Sequence, residues 1–185
     1  MNSGLSVRTE SVIQGGGNVA RALCDVGRPA ALSFIAPECN SFGLALMESR
    51  PLSEAFRIAE DGEADTVIVL ENDLYRRIPA EQADGLLGSV QHVVVLDCLV
   101  SPTTAKADLL LPSGTFAESD GTMVSNEGRA QRFFPAIAPL EADVRESWRW
   151  LGYPRWSTLD DHLPALDGAI PTLAPAVVDS PSSKF

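Results

Sequence analysis

The sequence predicts an α/β fold: a three-layer α/β/α sandwich on a mostly parallel sheet, followed by a long irregular loop and a C-terminal helix. Two short apolar runs carry the sheet, residues 66–70 (TVIVL) and 92–96 (HVVVL). Both are continuous rather than alternating, the pattern of strands covered on both faces. Helically spaced stretches stand before and between them, and helices joining buried strands imply right-handed βαβ crossovers.

Taken in order, Val12, Ile13, Val19, Ala20, Leu23 and Val26 recur near helical spacing, and Gly27 with Arg28-Pro29 supplies a stop, so residues 11–26 should form a helix. Residues 30–36 (AALSFIA), bounded by Pro29 and Pro37, suit a buried strand. Helical stretches follow near 41–48 and 52–60, and Pro79 can open a helix over 80–87 from its first turn. Residues 108–111 (DLLL) give a weaker strand signal. Residues 113–139 are rich in Gly, Ser, Thr, Asn and Glu and show no periodicity. A loop of that length in a compact domain is functional or wraps a neighbour. Asp143 should cap an amphipathic helix through Trp148 and Leu151 that ends at Gly152. The expected organisation is an α/β domain over 1–140 with the loop 113–139, a helical extension over 141–166, and a proline-rich, weakly ordered tail over 167–185.

The totals exclude several classes of function. A chain of 185 residues supports one domain with a real core, and 45% hydrophobic with 21% charged residues is an ordinary globular balance. A net charge of −11 repels a phosphate backbone, so no nucleic-acid partner is expected. The longest apolar stretch, residues 93–100, is broken by Asp97 and is far shorter than a spanning helix needs, so no direct membrane insertion is expected. The first residues lack the basic start and apolar run of a secretory signal, so the three cysteines are expected to be reduced thiols in a cytoplasmic setting.

Metal chemistry finds few ligands. Cys24, Cys39 and Cys98 are scattered, outside any CxxC arrangement, and too few for a four-thiolate cluster. His92 and His162 are the only histidines and stand 70 positions apart, so no metal site is expected. Gly15-Gly16-Gly17 resembles a phosphate-cradling turn only weakly, because the residues before it read as helix and a third spaced glycine is missing. Neither Pro112-Ser113-Gly114 nor Glu118-Ser119-Asp120-Gly121 has the form of a nucleophile elbow, and no catalytic residue is assigned. Glu71, Asn72 and Asp73 follow a strand at the carboxyl edge, where open α/β sheets bind ligands; the same residue types also cap helices, so both readings stand.

The distinctive stretch is 101–134, SPTTAKADLLLPSGTFAESDGTMVSNEGRAQRFF. Its Thr103, Ala107, Asp108, Leu111 and Pro112, then Glu118, Gly121 and Thr122, then Asn126, Glu127, Gly128, Arg129 and Gln131 resemble, in order, a stretch of the molybdopterin oxidoreductase family. The resemblance implies that family's third domain, an α/β unit lining part of the pocket for a bis-pterin guanine dinucleotide. Asp108, Glu118, Gly121, Thr122, Asn126, Glu127, Arg129 and Gln131 are then candidates for a vestigial pocket. The same residues can lock a loop, with Arg129 pairing a carboxylate.

Flanking segments narrow the resemblance. Asn18-Val19-Ala20, residues 37–44 (PECNSFGL), 71–75 (ENDLY), 131–134 (QRFF) and 146–151 (ESWRWL) are similar to the large iron–sulfur subunits of bacterial NADH:quinone oxidoreductases (complex I), over roughly residues 10–165. That branch is regarded as keeping the molybdoenzyme fold without the metal cofactor. The resemblance therefore implies a non-catalytic segment with no cofactor of its own, from a parent that holds iron–sulfur clusters. Its implied partners are the remainder of the same subunit and the neighbouring peripheral-arm subunits, on the cytoplasmic side of the inner membrane. The chain lacks the family's amino-terminal cluster-binding region and final β domain, which suggests an excised or truncated piece. Phe133, Phe134, Trp148 and Trp150 either belong to the local core or pack against that remainder. Two rivals follow from the same residues: a fragment of a molybdenum-dependent, formate-dehydrogenase-like enzyme holding a molybdopterin guanine dinucleotide, or a free-standing binding module using the Glu71–Asp73 edge.

Overall fold

A computed structural model describes residues 7–33, 35, 38–47, 49–152 and 157–161. Helix α1 spans Val7–Asp25. It stops where the sequence says it should: Gly27 adopts a left-handed φ of 74°, its N–H reaches Cys24 O at 3.0 Å, and Arg28 N–H reaches Leu23 O at 2.9 Å. This paired closure satisfies the last helical carbonyls, and only glycine takes that φ without cost. Helices α2 (Ser41–Leu46) and α3 (Leu52–Glu60) lead into β1 (Thr66–Leu70), and α4 (Ala80–Gly88) connects β1 to β2 (His92–Asp97). Strand β3 is Leu109–Pro112, and the sheet order is β1-β2-β3, all parallel. The register sets Leu70 beside Leu96 and Asp97 beside Pro112. The chain is thus an α/β protein built on a parallel sheet.

Helices α3 and α4 pack on the same face of that sheet. Val69, Val93 and Val95 are buried there against Ala59, Ala83, Leu86 and Leu87. Burying each valine or leucine among them contributes roughly 1.5–3 kcal/mol. The expectation that residues 66–70 are covered on both faces is not met: Ile68 and Leu70 are 55% and 48% exposed, and Leu109 is 50% exposed. Continuous apolar composition reports only that both faces avoid water, and it does not supply the second cover.

Three further expectations are corrected. The described residues of 30–36 lie in no strand, and Ile35 is 92% exposed, because a strand needs a hydrogen-bonded neighbour as well as a β-prone composition. The loop 113–139 contains an antiparallel hairpin, β4 (Gly121–Val124) with β5 (Ala130–Phe133), that pairs Gly121 with Phe133 and Val124 with Ala130. Helix α5 begins at Ser147, not near Asp143, and runs to Gly152. Arg145 is held extended beside Ser113: Gly114 N–H donates to Arg145 O at 2.8 Å and Arg145 N–H to Pro112 O at 3.3 Å, which prevents an earlier helix start. His162 and the tail 167–185 lie outside the described residues.

Candidate functional site

Strand ends and α5 meet at the carboxyl edge of the parallel sheet. Glu71 directly follows β1, and its N–H donates to Leu96 O at 2.7 Å, so its side chain arrives next to Asp97. Glu71 has φ 46°, a left-handed conformation that costs a non-glycine residue of order 1–2 kcal/mol. Its side chain is held by the Ser147 hydroxyl at the start of α5, which donates to Glu71 Oε1. Burial, helped by the Asp97 charge, pushes the Glu71 carboxyl above the usual carboxylate range. Burial also raises the neighbouring Cys98 thiol, with Asp97 adding to the effect, so Cys98 is not an activated nucleophile.

The rest of the ENDLY run is similarly engaged. Thr103, fully buried, donates to Asp73 Oδ1 at 2.7 Å and accepts the Leu74 N–H at 2.8 Å. Asn72 Oδ1 accepts from Arg77 Nε at 3.0 Å, and Arg77 in turn pairs with Glu38. Glu71 to Asp73 therefore fasten β1 to α5, to the turn around Thr103 and to the 38–44 segment.

The second cluster is the hairpin. Arg132 has a fully buried side chain that pairs with Asp160 at 2.9 Å, lies 3.9 Å from Asp120 Oδ2 and stands 5.7 Å from the Phe134 ring centroid. Arg132 Nε and Nη2 and the hydroxyl of Thr122, the residue opposite it, are buried without hydrogen-bond partners among the described residues. Trp148 Nε1 donates to Asp120 at 3.2 Å and Trp150 Nε1 to Pro112 O at 2.9 Å, so the two tryptophans of α5 clamp the hairpin and β3 together. Burial holds the Asp120 carboxyl above its ordinary range against the opposing pull of Trp148 and Arg132.

The candidate pocket residues do not converge. Asp108 sits at the opposite, amino-terminal edge of the sheet, where its carboxylate accepts the Val93 N–H at 2.7 Å and its own N–H returns to Val93 O at 2.8 Å. Glu118 closes its own loop, accepting from Thr115 N–H at 2.9 Å and from its hydroxyl at 2.8 Å, which holds the carboxyl below the usual range. Gly121 lies under the Phe133 ring, where an added Cβ would come within 2.6 Å of ring carbons. Asn126, Glu127 and Arg129 form the exposed tip of the hairpin around Gly128, and Gln131 is exposed on β5. No ion pair of Arg129 is found among the described residues; the arginine of the hairpin that pairs with carboxylates is Arg132.

Sequence reasoning missed Arg132 and Asp120 as an ionic centre, because Asp120 and Asp160 both stand far from Arg132 in the sequence. It also left Asn40 without a role. That side chain accepts the Val124 N–H at 2.8 Å, and Gly43 is required beneath it because a Cβ there would lie 2.3 Å from Asn40 Oδ1.

Residues 2–152 match the molybdopterin oxidoreductase family, and the chain belongs to that family. Within it, the chain is 39% identical to the G subunit of the NADH-quinone oxidoreductase of Shewanella oneidensis, over 98% of its own length. It is 38% identical to the corresponding subunits of Pseudomonas putida and of Escherichia coli K12, over 99% of its length in each case. The chain spans 22% of the length of these curated relatives.

The family name raises the question of a pterin dinucleotide, and the residues present do not fit one. Its pyrophosphate needs donors or cations at the carboxyl edge. That edge instead brings Glu71 and Asp97 together, with Asn72 and Asp73 already bonded within the chain. Among the described residues no group of three or more His, Cys, Asp or Glu side chains could hold a metal ion. No described helix is long and apolar enough to cross a membrane.

Proposed function

We propose that this chain is a scaffold segment of the large iron–sulfur subunit of an NADH-quinone oxidoreductase, holding no redox centre itself. The observation that carries the reading is that residues of the family motif and of the carboxyl-edge run 71–73 are engaged in internal fastening. Glu71 is tied to Ser147, Asp73 to Thr103, Asp108 to Val93 and Glu118 to Thr115. Similarity to the NADH-quinone oxidoreductase relatives across 98–99% of the chain supports the same parent. In that reading the electrons of the parent pass through iron–sulfur clusters elsewhere in its sequence, and this segment shapes the peripheral arm on the cytoplasmic side. Its partners are the rest of the subunit and its neighbours.

The test is a chimera in which this chain replaces the matching segment of the Escherichia coli relative. Membranes carrying it should oxidise NADH with quinone at a rate within about threefold of the parent, a barrier change under roughly 1 kcal/mol. The purified complex should hold no molybdenum. An unassembled chimera, or stoichiometric molybdenum in the complex, would sink the scaffold reading.

A further inference from the structure

Strand β1 presents an open edge. Its only hydrogen-bonded neighbour among the described residues is β2. Glu71 N–H bonds Leu96 O and Asp65 O accepts from His92 N–H, so the strand alternation turns the backbone of Val67 and Val69 towards β2. The N–H and C=O groups of Thr66, Ile68 and Leu70 then face outward. The edge carries no charge, proline or bulge, the devices by which exposed edges are usually guarded, and Ile68 and Leu70 are about half exposed.

Two features earlier in the chain leave apolar side chains exposed. Helix α1 has Val12 and Val19 exposed at 72% and 62%. The strand-like stretch after it has Leu32 and Ile35 at 47% and 92% exposure. An exposed apolar helix earlier in the chain and an unguarded parallel edge are two parts of a βαβ unit that one further parallel strand would complete.

We infer that the outer edge of β1 accepts a parallel, apolar strand from a part of the same longer polypeptide outside these 185 residues. That strand widens the sheet, gives α1 a surface to cover and gives the 30–33 stretch a neighbour. The occupant is assigned to the same polypeptide because the relatives run to more than four times the matched length, the chain being 22% of each. A parallel partner is assigned because both existing pairings in this sheet are parallel. The inference rests on the scaffold reading and adds where the remainder of the subunit attaches.

The test is residue-resolved hydrogen–deuterium exchange on the free chain and on the Escherichia coli chimera. In the free chain the amides of Ile68 and Leu70 should exchange at least about tenfold faster than those of Val67 and Val69. In the assembled chimera they should slow to match them. An active chimera whose Ile68 and Leu70 amides stay fast overturns the strand-accepting edge and leaves the scaffold reading intact. A chimera that does not assemble overturns both. A free chain that is dimeric with these amides already protected shows that the edge pairs with a second copy, and overturns the assignment of the occupant.

Discussion

The two faces of the parallel sheet are built from residues of equal apolarity and meet opposite fates. On one face Val69, Val93 and Val95 are buried beneath α3 and α4, and only Leu110 on the outer strand is about half exposed. On the other, Ile68, Leu70 and Leu109 are about half exposed, and only Leu96 is fully buried. The first face is completed by helices that lie within a few residues of the strands. The second depends on cover that the local sequence does not supply. Apolar composition thus does not by itself say which face is covered, while the chain's own stability comes from the face it covers itself.

That contrast can be broken by mutation, starting with the largest effect. Leu86→Ala, in α4 on the covered face, should lower the unfolding free energy by about 2–5 kcal/mol in urea titration. A loss below about 1 kcal/mol would mean that the covered face is not the core. Thr103→Val should cost about 1–3 kcal/mol, because it strands the buried Leu74 N–H and removes the donor to Asp73. Gly121→Ala should cost about 1–2 kcal/mol by driving a methyl into the Phe133 ring, with a shifted Phe133 resonance as the accompanying sign. At the small end, Ile68→Ala on the open face should change the free chain by no more than about 0.5 kcal/mol, and a cost like that of Leu86→Ala would erase the distinction between faces.

Glu71 sharpens the comparison through pH. Its carboxyl is raised by burial and by Asp97, so folding favours the protonated form. The stability it contributes is fully present below the unfolded carboxyl pKa of about 4.3 and is lost as pH rises through the higher folded value. Replacing Glu71 with Gln should therefore flatten the pH dependence just above that range and leave the variant no less stable than the parent at neutral pH. Greater destabilisation of the Gln variant at about pH 7 than at about pH 4 would contradict the direction of the shift.

How much of the site could be read beforehand depended on the range of the interactions. Asp108, Glu118 and Gly121 stood out as a pattern, but their roles, a bond to β2, a closed loop and a ring seat, were visible only once partners were placed. Ser147 lies 76 positions from the Glu71 it bonds, and Asn40 lies 84 from Val124, so nothing local announces either contact. The hairpin 121–133 escaped notice because four-residue strands around a Ser-Asn-Glu-Gly turn are too short to show a period. Its identity rests on cross-strand pairing.

By itself the sequence determined the elements whose signals are local. The β-branched runs of β1 and β2, the α4 helix opened by Pro79 and the Gly27 stop of α1 follow from backbone preference and hydrophobic period over a few residues. Only the tertiary structure decided that 30–33 forms no strand, that α5 starts at Ser147, and that Arg132 is the buried cation. A strand, a late helix start and an ion pair each need a partner distant in the chain, and short-range propensity carries no information about whether that partner arrives.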